Sequence, residues 1–237
     1  TLSSSSAASD VYKRQNNATT TLAKEGDVVT LTFTATETIQ TPTVTFQSGG
    51  ANITNSATIN NTSGDTWAAA YTTHESDTGG SVTYTIAFTD SAGNVGTNVT
   101  SGTGSVTFDD TVPTLSNVDL SSNNATTTLA KAGDVVTLQF EASETITNPT
   151  VTFQSGGDDI ADSVSLSKSG NVFTATYTVD ANDSDGTVTY SIASFADSAG
   201  NNGTTVTSGH SNNITVDTTL PTLSLSLINN RRCRRRV

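Results

Sequence analysis

The sequence predicts an all-β protein built from two tandem Greek-key β-sandwiches of about seven strands each. Three observations carry this. The first is an internal repeat with a period of 107 residues: residues 16–50 match residues 123–157 almost letter for letter, NNATTTLAKEGDVVTLTF against NNATTTLAKAGDVVTLQF and then TVTFQSGG against TVTFQSGG. A unit of about 100 residues is the size of a two-sheet sandwich and too long for a solenoid repeat. The second is strict apolar/polar alternation in short runs, with no helical periodicity. The third is punctuation by Gly, Asn, Asp and Ser. Both repeats close on one signature: Asp90-Ser91-Ala92-Gly93-Asn94, then VTFDDTVPTL, returns as Asp197-Ser198-Ala199-Gly200-Asn201, then ITVDTTLPTL.

The second repeat shows every element in order. Residues 114–120 form a short strand after Pro113. Polar turns follow at Ser121-Ser122-Asn123-Asn124 and at Ala130-Lys131-Ala132-Gly133-Asp134. Residues 135–142 alternate, with Val136, Leu138, Phe140 and Ala142 facing inward and Thr137, Gln139 and Glu141 outward. Val151 and Phe153 repeat the pattern after Pro149, and Gly156-Gly157 breaks it. Val164 and Leu166 mark a short strand. Phe173, Ala175 and Tyr177 share one face of the next, and Val188, Tyr190 and Ile192 one face of the one after. Residues 214–216 close the unit. The outward positions are mostly Thr and Ser, good strand residues that bond water. The offset between repeats slips to 106 after a deletion near Trp67, returns to 107 at Asp90/Asp197 and reaches 108 at Pro113/Pro221. Length changes in loops with strands kept in phase are what duplicated domains show.

Residues 5–15 resemble a transposase-borne sequencing adapter translated in frame, and residues 225–237 resemble pieces of its reverse complement. Both ends are therefore set aside from the fold as non-native segments. The first repeat is then expected to span residues 16–112 without its first strand, because residues 5–15 stand where Leu115-Ser116-Asn117-Val118-Asp119-Leu120 stand in the second repeat, residues 113–224. Without the ends, three lysines face 21 acids, a net charge of −18 against −12 for the whole chain. Such a body repels nucleic acid and anionic membranes and suits cations. The one cysteine, Cys233, lies in the set-aside tail, so neither a disulfide framework nor thiol catalysis is expected. The chain has no methionine and no apolar run long enough to insert in a membrane, and reads as an internal piece of a longer reading frame.

The set GDVVTLxF, SETI, VTYxI, DSAGN and VDTTxP, in that order, resembles the bacterial immunoglobulin-like repeats of large surface adhesins and biofilm-associated proteins. It covers residues 16–223. The resemblance implies immunoglobulin-like sandwiches in a secreted or surface-anchored rod, often calcium-dependent. Most such repeats are non-catalytic spacers whose partners are neighbouring repeats of the same chain. A glycan or surface-protein ligand would be bound elsewhere in the full protein.

The chemistry concentrates at the junction. In this topology the linker Asp109-Asp110-Thr111-Val112-Pro113 should lie beside the Ser143-Glu144-Thr145 loop and the 197–201 loop of the second repeat. Asp109, Asp110, Glu144, Asp197 and Asn201 would then converge. Calcium takes six to eight oxygens from such groups, and without a cation the carboxylates repel one another. Ca²⁺ is the expected structural cofactor. The same residue types also favour solvated turns, and spacing alone leaves both readings standing. Asp27 and Asp77 are placed near the same junction. Glu37, Asp90 and Asn94 would serve a preceding one.

Other candidates point away from catalysis. His74 and His210 are not at equivalent positions and have no partnered Ser or Cys. Trp67 takes the place of Phe173 and is read as core. Asn17, Asn52, Asn98 and Asn213 sit in N-x-Ser/Thr triplets, which a Thr-rich sequence produces by chance. A glycan- or protein-binding module, or an accessory domain of an extracellular enzyme or phage fibre, are the alternatives to a spacer.

Overall fold

A computed structural model describes residues 10–160 and 162–225. In the first repeat the strands are β1 (Asp10–Gln15), β2 (Leu22–Ala23), β3 (Val28–Thr34), β4 (Thr43–Ser48), β5 (Ala51–Asn52), β6 (Thr58–Ser63), β7 (Thr66–Thr72), β8 (Gly80–Ala87) and β9 (Thr107–Phe108). The second repeats them as β10 (Leu115–Ser122), β11 (Leu129–Ala130), β12 (Val135–Ala142), β13 (Thr150–Ser155), β14 (Asp158–Asp159), β15 (Ser165–Ser169), β16 (Val172–Thr178), β17 (Gly186–Ala193) and β18 (Thr215–Val216). The described residues contain no helix.

Each repeat is two sheets face to face. One has the order β1-β3-β7-β6, repeated as β10-β12-β16-β15. The other has the order β2-β9-β8-β4-β5, repeated as β11-β18-β17-β13-β14. This is the immunoglobulin-like arrangement, and the protein is an all-β tandem of two such sandwiches. The inner faces are the alternating positions. Val136, Leu138, Phe140, Phe173, Ala175, Tyr177, Val188, Tyr190 and Ile192 are all buried, and their counterparts form the first repeat's core. Trp67 is buried opposite Phe33, as Phe173 is opposite Phe140.

Two features differ from the alternation pattern. Ala130, expected in a polar turn, is buried, because β11 lies parallel to β18 and carries the chain from one sheet to the other. A two-residue strand has no alternation to detect. Phe195 is also in the core, over Gly203, where a Cβ would lie 1.8 Å from its ring.

The first strand of the first repeat, expected to be missing, is present. β1 pairs antiparallel with β3, with Lys13 opposite Leu31 and Gln15 opposite Val29. The first repeat's sheet therefore includes residues 10–15 among those described. Strand pairing is made by the backbone, so an edge of the sheet accepts a segment whose side chains are poorly matched. The mismatch falls on Lys13, buried where the second repeat has the core residue Leu120. Its ammonium donates to the Val82 carbonyl and lies 5.8 Å from the Tyr84 ring centroid. Burial lowers its pKa. The remaining adapter-like positions, 5–9 and 226–237, lie outside the described residues, and Cys233 with them.

Candidate metal centre at the junction of the two repeats

The junction is built by three segments. The first is the linker leaving β9. Asp109 N donates to the Ala23 carbonyl at 2.8 Å, so the linker starts from a fixed point on the sheet. Asp109 Oδ1 accepts from Thr111 N at 3.1 Å, a local bond along the linker. The second is the loop after β12, held to the linker by Ser143 N to Thr114 O at 2.9 Å and Thr114 N to Ser143 Oγ at 3.0 Å. The third is the 197–201 loop, tied to the second by Thr147 N to Ala196 O at 2.8 Å and Ala196 N to Thr147 Oγ1 at 3.0 Å.

Asp197 shapes the third loop. It is 4% exposed. Its Oδ1 accepts from Gly200 N at 2.7 Å and Asn201 N at 2.8 Å, and its Oδ2 from Asn201 Nδ2 at 2.8 Å. Gly200 adopts φ 91°, a conformation that favours glycine. Asn201 Nδ2 also donates to the Asp109 carbonyl at 2.8 Å, which joins the loop to the linker.

Of the five residues expected to converge, three bring a carboxylate oxygen each to within 4.8 Å of one another: Asp109, Glu144 and Asp197. Asn201 joins them through its amide. Asp110 does not. It is exposed, with Oδ1 3.2 Å from where a Cβ on Gly79 would lie. Successive side chains of an extended linker point to opposite sides, so Asp109 and Asp110 cannot both face the cluster. Burial, and then the charges of Asp197 and Asp109, raise the pKa of Glu144. The three carboxylates thus repel in a partly desolvated site, which a hard cation would relieve.

Of the remaining expected residues, Asp27 lies one hydrogen bond from the junction, through the Asn17 amide that also reaches Ala199 O, whereas Asp77 and Asp90 are used within their own repeat. Asp27 Oδ2 accepts from Asn17 Nδ2 at 2.7 Å and Lys24 N at 2.8 Å. Asp77 accepts from Thr54 N at 2.7 Å and His74 N at 3.0 Å, inside its own repeat. At Asp90 the turn of the second repeat recurs: Asn94 Nδ2 donates at 2.7 Å, Asn94 N at 2.8 Å and Ala92 N at 2.9 Å. Asn94 is the main cause of the lowered Asp90 pKa, first through its side chain and then its backbone. His74 and His210 are half-buried rather than exposed. His210 lies edge-on to Tyr190, with Nδ1 3.3 Å from its hydroxyl.

Sequence reading missed the first repeat's side of the junction. Asn17 Nδ2 donates to Ala199 O at 2.7 Å and Thr19 Oγ1 to Ser198 O at 2.9 Å. The stem of Lys24 packs on Gly200, where a Cβ would lie 3.4 Å from Lys24 Cε. The available signal was NNATTTLAK, identical in both repeats although it is mostly loop.

No family model matches the chain, and no curated protein matches it. Among solved structures, it is similar to the titin I-band fragment I67–I69, with 14% identity over 90% of this chain and 66% of that one and a TM-score of 0.44. It is also similar to the titin I9–I11 tandem, with 12% identity over 89% of this chain and 65% of that one and a TM-score of 0.36. It thus spans just under two thirds of each. The immunoglobulin-like assignment rests on the sheet order, not on these scores.

Proposed function

We propose that the chain is a non-catalytic pair of spacer repeats from a bacterial cell-surface or secreted adhesin, stiffened by Ca²⁺ at the junction. The observation that carries the reading is the join itself. Linker, Glu144 loop and 197–201 loop are hydrogen-bonded to one another, Asn17 and Thr19 reach across from the first repeat, and three carboxylates meet at the centre. Asp109, Glu144 and Asp197 would hold the ion, with backbone carbonyls and water completing its shell. The ion would replace carboxylate repulsion by attraction and fix the angle between the sandwiches. Neighbouring repeats are the partners on this reading, and any glycan or surface-protein ligand belongs to the rest of the adhesin. The buried Lys13 in place of a core leucine supports reading the whole of β1 as adapter-derived.

Calorimetric titration of the chain with Ca²⁺, paired with thermal melts, tests the metal. A binding event that raises the melting temperature and weakens at least tenfold in Glu144→Gln is expected. No heat and no thermal shift at millimolar Ca²⁺ would sink the calcium part of the proposal.

A further inference from the structure

The join between the repeats is made by two surfaces, and the sequence contains each of them twice. One is the turn DSAGN, docked at 197–201 and present again at 90–94. The other is the segment NNATTTLAK, docked at 16–24 and present again at 123–131. The molecule therefore carries a second copy of each half of its own join.

The second copies are built as the docked ones are. Asp90 accepts from Asn94 N at 2.8 Å and Asn94 Nδ2 at 2.7 Å, as Asp197 accepts from Asn201 N and Nδ2 at 2.8 Å each. Gly93 has φ 96° where Gly200 has φ 91°. Asn124 bonds Asp134 as Asn17 bonds Asp27. The exit from the second repeat also recurs. Asp217 N donates to the Ala130 carbonyl at 2.9 Å and Thr219 N to Asp217 Oδ1 at 3.1 Å, as Asp109 N does to Ala23 and Thr111 N to Asp109. Groups already in their bound arrangement lose little freedom on docking.

What differs is cover. Ala199 is 1% exposed in the docked turn, whereas Ala92 is exposed. Asn201 is half-buried, whereas Asn94 is exposed. On the other surface Leu22 and Lys24 are half-buried, whereas Leu129 is 42% exposed and Lys131 is exposed. The two turns share one sequence and one set of internal bonds, so the cover over Ala199 comes from the first repeat and its linker. Val95, beside the open turn, is 80% exposed. Among the described residues, the open surfaces are thus the ones whose sequence twins are docked.

We propose that the 123–131 surface of one copy of this chain docks the 90–94 turn of a second copy, giving head-to-tail association. Asn124 Nδ2 and Thr126 Oγ1 donate to the second copy's Ala92 and Ser91 carbonyls, as Asn17 and Thr19 donate to Ala199 and Ser198. Asn94 of the second copy donates to the Asp217 carbonyl, as Asn201 donates to that of Asp109. A contact between unlike surfaces is heterologous, so each end of an associated pair can take a further copy. The proposal rests on the hydrogen-bonded join and not on calcium. Asp217 of one copy would face Glu37 and Asp90 of the next, the counterparts of Asp109, Glu144 and Asp197, so the first arm of the test includes Ca²⁺.

The test is a concentration series of amide NMR spectra on the whole chain. Within the chain the linker supplies an effective concentration on the order of millimolar, so the series runs up to about 1 mM. Amides of residues 90–95 and 124–131 are expected to shift with concentration, while those of 17–24 and 197–201, already docked, stay in place. Ala92→Gln puts a long neutral side chain where the docked turn has no room. It should abolish the shifts in both segments and leave the dilute melt unchanged, because Ala92 is exposed in the single copy. Spectra independent of concentration, shifts confined to other surfaces, or shifts that survive Ala92→Gln overturn the proposal. The series is then repeated in chelator. Shifts that persist uphold docking without calcium, and shifts lost on chelation uphold the docking and the metal together.

Discussion

The two repeats are near-copies, yet they solve two local problems differently. The first is the edge strand. In the second repeat β10 delivers Leu120 to the core opposite Leu138, and Tyr190 ends on His210. In the first repeat β1 delivers Lys13 opposite Leu31, and Tyr84 is left with a buried hydroxyl and no partner. Backbone pairing is therefore satisfied in both, while side-chain packing is satisfied in one. The second difference is the state of one surface. Lys24 lies along Gly200 of the neighbouring repeat, whereas Lys131 folds back on Asp134 at 2.9 Å. Asn17 bonds both Asp27 and the Ala199 carbonyl, whereas Asn124 bonds Asp134 at 2.6 Å. The same surface is thus seen with a neighbouring repeat and, among the described residues, without one.

Exchanging the edge residues should produce the largest effect. Leu120→Lys is expected to destabilise the second repeat by at least the about 2–5 kcal/mol of a buried Leu→Ala change. Lys13→Leu should stabilise the first by about 2 kcal/mol. Calorimetry resolving the two unfolding transitions checks both. Because burial lowers the Lys13 pKa, the unfolded chain binds more protons there. Its contribution to stability therefore rises with pH from that lowered value up to the ordinary 10.5, and is lost below it. Lys13→Leu should abolish that slope.

Gly203→Ala comes next. Its Cβ would lie 1.8 Å from the Phe195 ring, so the core must shift, at a cost of about 1–3 kcal/mol. Gly96→Ala meets Phe88 at 2.2 Å, and should cost less because Phe88 is only partly buried. Chemical denaturation of each variant decides the order.

A pH effect sharpens the junction side. Glu144 has a raised pKa, so its contribution is fully favourable below its ordinary 4.5 and is lost as pH rises through the raised value. Without divalent cations, interdomain order should fall as pH rises above 4.5, and Glu144→Gln should flatten the response. Asp134, whose pKa is held at about 2 chiefly by the Lys131 N–H, acts oppositely and only below 3.8. The two windows therefore separate. The smallest effect is expected for Lys131→Ala, because the Lys131 ammonium is exposed to solvent and Asp134 keeps its bonds from Lys131 N and Asn124 Nδ2. Melts should barely register it.

The long strands were legible because alternation over six to eight residues fixes both their type and their buried face, as in Val135–Ala142. The junction acids Asp109, Glu144 and Asp197 were legible because a known topology places three loops at one end. Ala130 was not, since its strand has two residues. Asp110 was misplaced because composition records that two acids are adjacent but not that extended neighbours point apart. Asn17, Thr19 and Lys24 were hidden because polar loop residues carry no periodicity. Lys13 was hidden because exclusion of an ill-matched segment ignored what backbone pairing alone can hold.

Small-angle scattering on the whole chain, with Ca²⁺ and then with chelator, tests the central claim most directly, with Glu144→Gln measured alongside. The account predicts a longer, stiffer particle with Ca²⁺ that collapses to a broader distribution on chelation, and no such change in Glu144→Gln. Identical curves with and without Ca²⁺ would contradict it.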